Sequence, residues 1–215
     1  MNTFSTGHFF YLIEAARWTI VLSLLAFAGG GILGLVLALC RVSENRVVRF
    51  LATIYVQVIQ GTPLLVVLFL SYYGLSIIGY NIDALLAAGF SLTLYTAAFL
   101  GEIWRGCILS VPKTQWEAAN CIGLNRAQQY YYVVLPQAVR IAIPPTVGFM
   151  VQIVKNTSLA SIIGFVELTR AGQVVNNSTF QPFLTFVFVA LIYFAMCYPL
   201  SLASRYFERR LKVGN

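Results

Sequence analysis

The chain has 215 residues, 59% of them hydrophobic and only 10% charged, with 14 Lys and Arg against 7 Asp and Glu. A water-soluble domain carries roughly 25% charged residues, so too little polar surface is left here to cover a soluble globule. The basic residues stand between apolar runs and not on one solvated face, which argues against a nucleic-acid footprint.

The first apolar run, Trp18 to Cys40, holds 23 residues without a charge. That is enough to cross a hydrocarbon core, which takes about 20. Gly29, Gly30, Gly31 and Gly34 lie inside it, and in a bilayer such small residues let a neighbouring helix come close. Residues 1–17, with Phe9, Phe10, Leu12 and Ile13, are expected to lie along the outer interface. Glu14 and Arg17 precede the run and no small-residue cleavage site follows it, so no cleavable signal peptide is expected.

After a charged connection, Arg41 to Arg49, a second run extends from Leu51 to Tyr73, interrupted by Gly61-Thr62-Pro63. A third covers Ala84 to about Ile103 and closes on Glu102 and Arg105, which are spaced as a local i, i+3 pair. Residues 109–140 are more polar and read as a loop with two short helices of its own. Pro112 suits a first helical turn, and Trp116 is expected to be exposed. Gly123 can end the first helix with a positive φ, and a second helix should run from about Arg126 to Leu135 before Pro136. The fourth run, Ile141 to Val154, has only 14 residues and contains Pro144-Pro145, which predicts a kinked or broken helix. The fifth goes from Phe183 to about Ala203 and ends in Arg205, Arg209, Arg210 and Lys212.

Five spans with the N-terminus outside put 11 of the 14 Lys and Arg on the cytoplasmic side, leaving Arg17, Lys155 and Arg170 outside. That bias predicts the N-terminus out and the C-terminus in. The expected organisation is an all-α integral membrane protein with a transmembrane domain over 18–211, its cytoplasmic loop at 109–140, and a tail at 212–215.

Little in the chain suits catalysis or metal binding. Cys40, Cys107, Cys121 and Cys197 match neither zinc nor disulfide spacing, and His8 is the only histidine. An intramembrane enzyme would need a carboxylate pair, a His-based couple or a metal cluster in one layer. A channel or secondary transporter would carry paired charges inside the spans and an internal repeat, neither of which is seen. No G-x-x-x-x-G-K-[ST] phosphate loop is present, so ATP must be used elsewhere.

The loop carries the sharpest signal. It reads Glu117-Ala118-Ala119, three residues, Gly123, nine residues, then Val133-Val134-Leu135-Pro136. This resembles the coupling loop of ATP-binding-cassette (ABC) importer permeases, with Val133 where isoleucine is usual, and argues against a mere membrane scaffold. The resemblance extends from about Trp18 to Leu211 and is closest to the polar amino-acid branch. It is carried by Gly61-Thr62-Pro63-Leu64-Leu65, Glu102-Ile103-Trp104-Arg105-Gly106, Val111-Pro112-Lys113, Leu135-Pro136-Gln137-Ala138, Pro144-Pro145 and Lys155-Asn156-Thr157-Ser158-Leu159.

The resemblance implies a type I ABC importer fold in a bacterial inner membrane. It also implies a partner ATPase dimer using ATP and Mg, a second permease chain (the same or a relative), and an extracytoplasmic solute-binding protein. Glu117, Ala118, Ala119, Gly123, Leu135 and Pro136 would couple to the ATPase.

Candidates for touching the amino acid are Gln60 and Thr62, about 15 Å from the loop side at 1.5 Å per residue, and Thr96 at similar depth. Asn156, Thr157 and Ser158 are the other group; Thr157 or Ser158 can equally cap the next helix. Family members often carry arginine where Gln60 stands, glutamine at Val67 and aspartate at Asn156, so a neutral or acidic polar amino acid is expected. Glu167 and Arg170 are expected at an outer gate or on the surface that receives the binding protein.

Overall fold

The computed structural model describes residues 4–211, and all regular structure among them is helical. Helix α1, Thr6–Val42, is a single rod of 37 residues. It therefore begins twelve residues before the predicted span, and residues 6–17 belong to the same helix. They are held there because Leu12, Ala15 and Ala16 bury against Leu168, Ala171 and Val175. The 212–215 tail lies outside the described residues.

Helix α2, Arg46–Gly61, and helix α3, Leu64–Ile77, are bent 102° apart at Thr62-Pro63. Pro63 has no N–H to continue the ladder and disfavours helical backbone at Thr62, whose φ and ψ of −110° and 132° are extended. The predicted interruption is thus a sharp elbow. The remaining elements are α4, Ala84–Leu109, α5, Lys113–Cys121, α6, Arg126–Ile163, α7, Leu168–Thr179, and α8, Pro182–Leu211. Among the described residues four helices are long and apolar enough to cross a membrane, or five if the bent α2–α3 pair is one span.

The fourth run departs most from expectation. The short second loop helix and the 14-residue run are one continuous helical stretch, which supplies the missing length. Pro136 does not end it. A π turn over Gln129–Val134 precedes the proline, with Leu135 N–H donating to Tyr130 five residues back, and such a widened turn gives room for the ring. Pro144 and Pro145 also lie within helical structure, and Ser204 Oγ of α8 donates to the Pro144 carbonyl at 2.9 Å.

Helices α1 and α4 run parallel, as they must if the chain returns through α2–α3 between them. Their seam is built from small residues. A Cβ on Gly30 would lie 2.5 Å from Thr96, and one on Gly34 3.1 Å from the Ala97 carbonyl. The two helices could not approach this closely with larger residues there. A central core of Leu22, Leu64, Leu68, Leu92, Ile153 and Ile163 then joins α1, α3, α4 and α6.

Candidate functional site

Helix α5 projects at the end of the bundle where α1 and α4 finish and α6 begins. Gly123 takes φ +78°, a conformation open mainly to glycine, and turns the chain back so that Leu124 N–H reaches the Ala119 carbonyl at 3.1 Å. Asn125 then caps α6 by accepting from Gln128 N–H at 3.0 Å. Glu117, Ala118 and Gly123 are exposed, Pro136 is exposed, Leu135 is half-buried, and Ala119 is buried beneath them. Trp116 is not the free aromatic expected. It is half-buried, its ring edge-on to Tyr130 with centroids 4.9 Å apart, against a core of Ile108, Val111, Val134 and Ala138. The outward face is thus small and polar, with an apolar underside that fixes it to the bundle.

The substrate candidates divide by exposure. Gln60, on the last turn of α2, is exposed on this chain, and its Nε2 reaches the Ala98 carbonyl at 3.4 Å. Thr62 Oγ1 donates to the Val58 carbonyl at 2.7 Å, the back-bond that repairs a turn next to a proline. Asn156 and Ser158 are half-buried, with Asn156 Oδ1 accepting from Gln152 Nε2 at 3.1 Å and Ser158 Oγ donating to the Lys155 carbonyl at 2.7 Å. Thr157 is fully buried and bonds Val154 in its own helix at 2.8 Å.

Thr96 stands apart from the other candidates. It is 1% exposed, packed in the α1–α4 seam against Gly30. Its similar depth in the sequence could not reveal that the side chain faces α1. The α3 segment after the elbow and residues 157–163 share the central core, which brings Gln60 and Asn156–Ser158 to neighbouring elements without a hydrogen bond between the two groups. Two apolar clefts of about 290 and 330 Å³ lie beside α6 and include none of these residues.

Two polar clusters were only partly legible. Glu102 pairs with Arg105 as predicted, but also with Arg41 of α1, so one carboxylate joins two helices. Trp104 Nε1 donates to Thr146 Oγ1 at 2.8 Å, tying α4 to α6. Glu167 is fully buried, not on a receiving surface. It caps α7, accepting from Thr169 N–H and Arg170 N–H at 2.9 Å each, and takes a further bond from the Tyr193 hydroxyl at 2.8 Å. Burial pushes its carboxyl pKa up, against the opposing pull of those donors. Glutamate is not a usual N-cap residue, so nothing in the sequence marks this role.

Residues 30–213 match the family described as the binding-protein-dependent transport system inner membrane component. The chain is 40% identical over 195 residues to an L-cystine transport system permease of Bacillus subtilis (strain 168), covering 90% of this chain and 83% of that one. It is 35% identical over 205 residues to a glutamine transport system permease of Escherichia coli (strain K12), covering 94% and 93%. A crystal structure of an amino acid ABC transporter with histidines superposes with a TM-score of 0.89 at 35% identity, over 93% of this chain and 94% of that one. The methionine ABC transporter in an inward-facing conformation shares the fold, with a TM-score of 0.77 at 19% identity over 97% and 99%.

Helices long and apolar enough to span a membrane, a projecting small-residue loop and these likenesses lead to one assignment. The chain belongs to the binding-protein-dependent transport system inner membrane components, the integral membrane permease subunits of ABC importers, in which a separate ATPase hydrolyses ATP.

Proposed function

We propose that this permease imports a polar amino acid across a bacterial inner membrane, driven through Glu117–Pro136 by an ATPase dimer that uses ATP and Mg. The single observation that carries this reading is the projecting α5 turn, with Glu117, Ala118 and Gly123 exposed above a fixed apolar underside. A rigid-body movement of that turn would switch access of the pathway. The N-terminus lies outside and the C-terminus inside, as the distribution of Lys and Arg favours.

A second permease chain, the same or related, closes the pathway against Gln60, Asn156 and Ser158, which are accessible on the single chain. Thr62 and Thr157 hold backbone turns beside them. An extracytoplasmic binding protein delivers the amino acid. Asn156 in place of an acid, with Lys155 exposed next to it, favours a neutral or acidic polar amino acid, because an uncompensated cation in a low-dielectric wall repels another.

Reconstitution with the co-purified ATPase tests the coupling. Gly123→Leu or Glu117→Lys is expected to abolish ATP-dependent uptake while membrane insertion persists, and uptake that needs no ATPase would refute the reading. Competition by arginine or lysine alone would overturn the substrate class. Orientation is read from exposed Cys121: an impermeant thiol reagent should label it in inverted vesicles and not in intact cells.

A further inference from the structure

The α5 turn is joined to the rest of the molecule by more than its covalent neighbours. Tyr130, inside the π turn of α6, faces Trp116 of α5 edge-on, with centroids 4.9 Å apart. Its hydroxyl approaches the carbonyl of Val42, the last residue of α1, at 3.4 Å, and the Val42 side chain packs on the same apolar cluster. One ring thus bridges α5, α6 and the end of α1.

The connection from Val42 to α2 is short and stiff. Arg41 is fixed to Glu102 of α4, so the end of α1 cannot swing freely. Ser43, Glu44 and Asn45 alone separate α1 from α2, and Asn45 Oδ1 accepts from Val47 N–H and Val48 N–H at 2.9 and 3.3 Å. Helix α2 then runs 16 residues, about 24 Å at 1.5 Å per residue, to Gln60 and the elbow. Arg126 and Glu44 also pair across this corner at 3.3 Å, but with side chains 68% and 79% exposed, and such surface pairs contribute little.

We propose that Tyr130 is a positioning residue that carries displacement of the α5 turn to the α1–α2 corner, and through α2 to the elbow beside Gln60. The proposal rests on the ATP-driven reading above. It gives the turn a second line of action, since α6 already leads directly from the same place to Asn156. Movement of the dock then shifts both walls together: α6 by continuity, and α2 through the Tyr130 ring.

The test measures uptake and ATP hydrolysis together, on the complete complex in proteoliposomes, using as probe whichever amino acid the wild type accumulates. Tyr130→Leu keeps an apolar side chain but removes the hydroxyl and the edge-on ring. Its uptake is expected to fall roughly tenfold, the size of a typical coupling energy, with hydrolysis within about twofold of wild type, so that more ATP is spent per molecule moved. Tyr130→Phe, which keeps the ring and loses only the hydroxyl contact to Val42, is expected to show a smaller loss in the same ratio, about threefold, the size of one weak hydrogen bond.

Unchanged ratios in both variants overturn the proposal. So does an equal fall of uptake and hydrolysis in an assembled complex, because Tyr130 would then only build the dock. If the Leu variant fails to assemble with the ATPase, the Phe variant decides alone by the same ratio. Failure of the underlying reading looks different: wild-type uptake would then proceed without ATP.

Discussion

Adding one methyl group to Gly30 should separate α1 from α4. A Cβ there would lie 2.5 Å from both Cβ and Cγ2 of Thr96 and 3.1 Å from the Ala97 nitrogen. Carbon atoms rest at about 3.5–4.0 Å, so the seam must open by roughly 1 Å. Neither partner can step aside, since Cβ of Thr96 moves only with its helix. Overpacking of this kind typically costs about 1–3 kcal/mol, and lipid supplies no hydrophobic drive to press the helices together again.

Gly31 is the internal control, because a Cβ there meets only the far edge of Trp104 at 3.8 Å. An alanine in an open helical position gains about 0.5–1 kcal/mol over glycine. In detergent, Gly30→Ala should therefore lower the thermal midpoint by roughly 2–12 °C, at about 2–4 °C per kcal/mol for a chain of this size. Gly31→Ala should leave it unchanged or raise it. The pair Gly30→Ala with Thr96→Gly takes away both Thr96 atoms that the new methyl meets and should recover part of the loss, the glycine itself costing helix α4 about 1 kcal/mol. Equal midpoints for the two single variants would refute the seam geometry.

Glu167→Ala removes the cap of α7 and strands two backbone donors, while the Tyr193 hydroxyl keeps only Thr169 Oγ1, so stability should drop by about 1–3 kcal/mol, read as a lower midpoint in the same assay. Glu102→Ala leaves Arg41, with its side chain 12% exposed, beside Arg105 without the carboxylate between them. It should lower the midpoint more than Arg105→Ala does, and equal midpoints for the two would mean that the cluster is only decorative. Thr157→Ser keeps the bond to Val154, and because the residue is buried it should not alter substrate competition. Asn156→Asp, on the accessible side of the same turn, should shift competition toward basic amino acids.

The limits of sequence reading here are physical ones. Apolar run length located the spans because a bilayer imposes one thickness, and Gly123 announced its own positive φ. The join between α6 and the polar loop was illegible because prolines look like stops. Pro136 is accommodated by a π turn, and that change of hydrogen-bond register leaves no mark in composition. Thr96 and Gln60 looked alike by depth, yet one faces α1 and the other stands open, a difference set by which helix arrives alongside. Arg41 was missed as a partner of Glu102 because 61 residues separate them, whereas the i, i+3 contact with Arg105 was readable from spacing alone.

The 38-residue stretch from Arg126 to Ile163 is about 55 Å of continuous helical backbone at 1.5 Å per residue, with the α5 turn at one extremity and Asn156 close to the other. Where it can yield is at its π turn and at Pro144-Pro145, so the part beyond them, up to Asn156, tilts as one piece. The opposite wall is made differently, folded through 102° at Thr62-Pro63. A single stroke at the dock would therefore lean one wall and crease the other, opening the gap asymmetrically.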